Sequence, residues 1–276
     1  MGNSPSQEEV ENVGYRVLGV QANSPASSCG LVSFFDFIVE ANGIPLKTLD
    51  TTFIDLIKAS EDVVLPIRVF NSKSATTRDV ALVPSRKWPG DGMLGITIRF
   101  DSYHNVDEDV VHILDVEAGS PADLAGLQAE SDYLLGTSER VFKSVDALFE
   151  ELQAHINKTM EIYVYNTGTD EVRNVVIMPS DEWGGEGLLG AGLAHGFLHR
   201  LPPECRKSNG IAVDGFCNIN ANSAFGSNSD QSSVSSPPAV VNVVGSSSTS
   251  SEFSPAPEVK EEPPSGEQTQ VEQDVA

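Results

Sequence analysis

Apolar side chains recur at alternate positions over Leu65, Ile67 and Val69, and again over Met160, Ile162 and Val164. That alternation predicts two half-buried strands, with Val80 to Val83 and Val175 to Met178 as their hairpin partners. Ahead of each strand the spacing becomes helical: Phe53, Leu56 and Ile57 in one case, Val145, Leu148, Phe149 and Leu152 in the other. Each set predicts a helix with one apolar face. Earlier still, Ser24 stands at an N-cap position, Pro25 at the first helical position and Gly30 at a stop, and Ser120, Pro121 and Gly126 repeat the arrangement. Each predicts a short helical turn. The whole pattern is that of a small, strand-rich α/β module written twice.

The duplication is explicit in the letters. PSRKWPGDGMLG at residues 84–95 returns as PSDEWGGEGLLG at residues 179–190, an offset of 95 positions. At the same offset LPIRVFNSKSATTRDVALVPS aligns with MEIYVYNTGTDEVRNVVIMPS, and FIDLIKAS with LFEELQAH. Two copies of domain size predict a tandem of domains and not a solenoid. Paired binding sites follow from such a tandem more readily than one catalytic centre.

Charge narrows the partners. Asp and Glu number 40 against 17 Lys and Arg, a formal net charge of -23, which argues against nucleic acid as a partner. The same charge argues against a polybasic attachment to anionic lipid. The sequence contains no apolar run of membrane-spanning length, and MGNSPSQEEVEN lacks the parts of a signal peptide, so a cytosolic protein is expected. Cys29, Cys205 and Cys217 are odd in number and unpaired in spacing, which fits a reducing compartment. Beyond Leu201 the composition turns to Ser, Asn, Pro, Gly and Glu, predicting a disordered tail in which Ser236 and Ser254, each before Pro, are candidates for phosphorylation.

The glycine loops GDGMLG and GEGLLG lack the GK[ST] ending of a phosphate loop, and the first leads into a strand, ITIRF, where a phosphate loop needs a helix. A glycine turn with successive backbone N–H groups aimed one way suits a carboxylate, and the strand after it offers an edge to an extended peptide. Catalytic chemistry finds no footing: HGFLH, with His195 and His199, lacks the glutamate of a zinc-protease helix, and no GxSxG or Cys/His setting is present. No enzyme activity, catalytic residue, metal or cofactor is expected.

SPASSCGL followed by Asp36, Ile38, Asn42 and Gly43 resembles the PDZ domain, and SPADLAGL followed by Asp132 resembles it again. Because the loop glycines close each unit, both resemble the circularly permuted form of that fold. With FFDFI, WPGDGMLGITIRF, DYLLG and EWGGEGLLGAGLAHGFLHRLP, the tandem as a whole is similar to the Golgi reassembly and stacking (GRASP) proteins over about residues 1–203. Pro89 departs from the glycine of that family's first loop. The resemblance implies an acylated segment over 1–13, PDZ-like domains over 14–103 and 108–203, and the tail over 204–276.

It further implies a myristoylated Gly2, which Met1, Gly2 and Ser6 fit as M-G-x-x-x-[ST]. A single acyl chain binds marginally, so a golgin coiled-coil protein presenting its C-terminus would supply the second attachment. The first groove would be walled by Leu56, Ile57, Leu94, Gly95, Ile96 and Ile98, and the second by Leu148, Leu152, Leu189, Gly190, Ala191 and Leu193. Self-association would place Gly196, Phe197 and Leu198 of one copy in the first groove of another, on the cytosolic face of Golgi membranes with a cytosolic pool. At the positions where animal members share zinc with a golgin stand Arg16, Asp101 and Ala191, so no zinc site is expected, and an Arg16–Asp101 ion pair is. The alternative is a soluble PDZ adaptor for cargo with hydrophobic C-termini, including unconventional secretion; an adaptor need not be acylated at Gly2.

Overall fold

The computed structural model describes residues 12–104 and 106–216. The chain divides into two units, Met1–Gly226 and Ser227–Ala276, and every described residue belongs to the first. Cys217, Ser236 and Ser254, like Gly2 and the rest of the N-terminal segment to residue 11, lie outside the described residues.

Strands β1 (Val13–Val20), β2 (Asp36–Ala41), β3 (Ile44–Pro45), β4 (Leu65–Asn71), β5 (Thr76–Leu82) and β6 (Ile96–Ser102) make one sheet. Strands β7 (Val111–Val116), β8 (Asp132–Gly136), β9 (Met160–Asn166), β10 (Glu171–Ile177), β11 (Ala191–Ala194) and β12 (Ile211–Phe216) make the other. The first runs in the order β5-β4-β2-β1-β6, with β3 paired to β2; the second repeats that order as β10-β9-β8-β7-β11 and adds β12. The strand after each glycine loop, β6 or β11, therefore comes last in its repeat and lies at a sheet edge, as expected of two permuted PDZ-like modules. The hairpin partners begin earlier than the apolar residues predicted, because Thr76 to Asp79 and Glu171 to Asn174 pair through backbone whatever their side chains.

Helices α1 (Thr52–Ala59) and α3 (Val145–Ala154) follow the predicted spacing, and α2 (Pro121–Leu124) is the expected capped turn. Ser120 Oγ accepts from the N–H of Asp123, whose carboxylate accepts from the N–H of Gly119, a reciprocal capping box. In the first repeat Ser27 replaces Asp123. Ser24 Oγ still accepts from the N–H of Ser27, but the Ser27 hydroxyl turns back to the carbonyl of Ser24. Only a 3-10 turn, Ser27–Cys29, forms there.

Each module has its own core. Phe53, Ile38, Ile67 and Val69 anchor the first, and Leu148, Leu134, Ile162 and Val164 the second. Both bury the same polar knot. Asp36 receives both Arg78 Nη groups, at 2.5 and 2.9 Å, and Asn71 Nδ2 at 2.8 Å. Asp132 receives Arg173 at 2.5 and 3.0 Å and Asn166 at 2.7 Å. The two fully buried carboxylates are thereby neutralised and saturated, the condition under which a buried charge is tolerated.

A third apolar cluster joins the modules, with Leu18, Val32, Phe34 and Phe35 packed on Tyr133, Leu135, Tyr165 and Leu201. Phe34 is fully buried at φ 69, a conformation that a bulky side chain adopts only when its surroundings impose it. Its N–H bonds the carbonyl of Val17, its carbonyl accepts from Arg16 Nε, and its ring meets Tyr163 at 5.2 Å.

The folded chain continues past the expected boundary at 204. Pro203–Lys207 forms a 3-10 turn, and β12 pairs in parallel with β10. The buried Lys73 ammonium, from the β4–β5 hairpin, donates to Asp170 at 2.6 Å, the carbonyl of Cys205 at 2.6 Å and Ser208 at 3.2 Å. Asn209 joins in, its carbonyl accepting from Asn71 and its side-chain oxygen from Ser74. Residues 203–216 form a strap over both modules. Its contacts are backbone pairs and polar bonds to another repeat, so a composition poor in apolar residues says nothing of it.

Candidate functional site

Both glycine loops are built alike. Trp88 Nε1 donates to the carbonyl of Gly92 at 3.1 Å, and Trp183 Nε1 to that of Gly187 at 2.8 Å, so each indole braces its own turn. The loop carbonyls face the scaffold: those of Met93, Leu94 and Gly95 accept from the N–H groups of Ser85, Ala26 and Gln21. Those of Leu188, Leu189 and Gly190 accept from Ser180, Ala122 and Glu117. Gly95 at φ +67 lies where an added Cβ would fall 2.3 Å from Ser24 Cβ, and Gly190 at φ +66 stands equally close to Ser120. Glycine is required at both places. Among the described residues, the N–H groups of Met93, Leu94 and Gly95 have no protein acceptor. They are the donors that an incoming acceptor would meet.

Beside the first loop lies a groove of about 350 Å³ between α1 and the free edge of β6. Of the six expected wall residues, Ile57, Leu94, Gly95, Ile96 and Ile98 line it. Leu56 packs against the core instead, and the wall position belongs to Ile54, 48% exposed. Phe53 fixes the helix by full burial. Lys58, Arg86, Gln21 and Asp91 form the polar rim.

The second repeat departs from expectation. Leu148, Leu152 and Leu189 are buried in the core, where no incoming side chain reaches them, while Ala191 and Leu193 on β11 are half-buried beside Gly190. Helical periodicity identifies the face turned to the sheet, whereas a groove is walled by the flank of that face. Phe149 stands where Ile54 does in the first repeat and is likewise 48% exposed. Ile54 and Phe149 are the functional candidates that the spacing concealed.

Gly196, at φ +95, opens the 3-10 turn Phe197–His199. Phe197 is 61% and Leu198 88% exposed, while Leu201 a few residues on is buried between the modules. The Arg200 guanidinium lies 4.1 Å from the Phe197 ring centroid. The segment is thus tethered at its base and displays two apolar side chains, the geometry of a ligand rather than of a core. Behind it His112 stacks on Tyr133 with centroids 4.3 Å apart.

Arg16 Nη1 lies 3.7 Å from Asp101 and 3.4 Å from Asp109, so the expected ion pair is present and enlarged by a second carboxylate. Burial pushes the Arg16 pKa down, against the upward pull of Asp109 and Asp101. Burial also raises Asp109, against Arg16 and Lys143. Among the described residues no group of three or more His, Cys, Asp or Glu could hold a metal ion, and no helix is long and apolar enough to cross a membrane.

A family model described as the GRASP55/65 PDZ-like domain matches residues 3–96 and 67–204. The chain is 39% identical over 204 residues to Golgi reassembly-stacking protein 1 of Homo sapiens, covering 74% of this chain and 46% of the human protein. It is 39% identical over 199 residues to the Mus musculus protein of the same name, covering 72% and 44%. GRASP65 homolog protein 1 of Saccharomyces cerevisiae is 25% identical over 206 residues, covering 62% and 54%. The chain spans about half the length of the curated relatives it matches.

Proposed function

The chain belongs to the GRASP55/65 PDZ-like family, and from that premise we propose that it is a non-enzymatic scaffold of Golgi stacks on their cytosolic face. In this reading a myristoylated Gly2 supplies one weak membrane contact and a golgin C-terminus seated in a PDZ groove supplies the second. Copies on facing membranes then pair in trans, supporting Golgi organisation and secretory transport. Phosphorylation at Ser236 or Ser254 adds charge near these contacts and weakens them.

The observation that carries this reading is a pair of complementary surfaces on one chain. The first groove offers Ile54, Ile57 and Ile98 along an open strand edge, and the second repeat displays Phe197 and Leu198. A groove and a ligand segment at different places make a head-to-tail contact that need not close on itself. Many such contacts between two surfaces raise the effective affinity with no strong single site.

Beads coated with the full chain test it. Ile54→Asp removes the groove and Leu198→Asp the ligand, so beads bearing either variant alone should fail to clump. A mixture should clump, because the intact groove of one meets the intact segment of the other. Clumping of wild-type beads without rescue in the mixture would place the contact elsewhere, and wild-type beads that stay dispersed would remove trans pairing from the function.

A further inference from the structure

The two loops share their backbone but not their charge. Lys58 and Arg86 line the first groove at its glycine-loop end. In the second repeat Gln153 stands at the position of Lys58 and Asp181 at that of Arg86. The equivalence is structural as well as numerical: Ser85 donates to Met93 as Ser180 does to Leu188, and Asp62 to Pro84 as Asn157 to Pro179. Asp91 of the first loop has Glu186 as its counterpart, so that negative charge cancels in the comparison. Lys58 makes no ion pair among the described residues. Arg86 faces Glu61 at 3.4 Å, but with 66% of its side chain exposed it remains free to turn.

We infer that the first groove selects a free chain end. The terminal carboxylate is received by the N–H groups of Met93, Leu94 and Gly95 together with the Lys58 and Arg86 cations, and the second repeat, acidic at the same positions, excludes one. This rests on the first groove being a peptide site, as proposed above. A chain of net charge -23 repels carboxylates in general, so a pair of cations at the one place where backbone donors are left open is a local exception to the field. With a Debye length of about 8 Å at physiological salt, the local pair decides. A carboxylate placed there gains charge-assisted bonds that an amide of the same peptide lacks.

The test uses the full chain and two fluorescent synthetic hexapeptides ending Val-Val-Ile, one a free acid and one a C-terminal amide, measured by anisotropy. The free acid should bind about tenfold more tightly than the amide. Lys58→Gln with Arg86→Asp, the residues of the second repeat, should erase that ratio while the amide binds as before. Equal binding of acid and amide to the wild type overturns the inference and leaves the peptide groove standing. If neither peptide binds, the groove itself is lost and the inference with it. Both substituted residues are exposed, and an unchanged circular dichroism spectrum assigns any loss to the groove and not to folding.

Discussion

The guanidinium of Arg16, on β1, reaches the carboxylate of Asp109 at 3.4 Å in the segment that leads from the first sheet to the second. Asp101 on β6 lies on the same side at 3.7 Å, and Lys143 of the second module approaches both carboxylates, at 3.6 and 3.8 Å. The rings of Phe34 and Phe37 enclose the cation at 5.9 and 5.3 Å. Four charges from both modules and their junction thus share one half-dry site, and what happens to any one of them is felt by the tandem.

Arg16→Met should cost about 3 kcal/mol, since it leaves two partly buried carboxylates with only the exposed Lys143 to face. The expected outcome in urea unfolding is a lowered midpoint with an unchanged slope. A loss under about 0.5 kcal/mol would mean that water already screens the site, as it does surface pairs.

Acid acts on this network with a definite sign. Burial raises the Asp109 pKa, so the folded state takes up its proton before the unfolded state does, and stability rises as pH falls through that raised value toward the ordinary carboxylate range. Asp170 behaves oppositely. Burial opposes its ionisation, but hydrogen bonds from Lys73, Ser208 and Tyr165 outweigh it and hold the pKa below normal. Its contribution is present above the unfolded value of about 3.9 and is lost below it. Unfolding midpoints should therefore increase between about pH 7 and 5 and fall below about pH 4. Asp109→Asn should flatten the upper slope without moving the lower one.

Lys73→Met tests the strap. The ammonium holds Asp170, Cys205 and Ser208 at once, and its loss leaves those acceptors short of a donor at about 1–3 kcal/mol. Amide exchange should accelerate in residues 211–216 and stay slow in β9, because the strap opens as a local unit while the module core remains closed. Uniform acceleration in β9 and β12 would show that strap and module open together.

Much of this architecture is legible in the chain because both repeats state it twice. The glycine loops, the alternating Leu65, Ile67 and Val69, and the expected Arg16–Asp101 pair all appear where the letters place them. Three features are not legible. Spacing puts Leu56 in the groove wall where Ile54 serves, since adjacent helical positions differ by about 100° and periodicity marks the buried face alone. The strap is hidden because hydrogen bonds such as Asn71 to Asn209 span residues far apart in sequence. The role of Asp36 and Asp132 as hubs of a buried knot depends on Arg78 and Arg173, whose partners no local motif reveals.

The distinction between wall and core yields the last prediction. Ile54 is half exposed on α1, so Ile54→Asp places a charge in water at little cost to folding, and surface changes of this kind typically stay within about 0.5 kcal/mol. It also sets a carboxylate in the apolar groove, and peptide binding there should fall more than about tenfold, the equivalent of about 1.4 kcal/mol. Leu148→Ala acts in reverse. Its side chain is fully buried against Leu134 and Ile162, and truncation should cost about 2–5 kcal/mol of stability, while peptide binding to the first groove is unaltered below the unfolding transition. Binding by anisotropy and stability by urea, measured on both variants, separate the two roles: if Ile54→Asp unfolded the chain and Leu148→Ala did not, the assignment of Ile54 to the groove wall and of Leu148 to the core would be wrong.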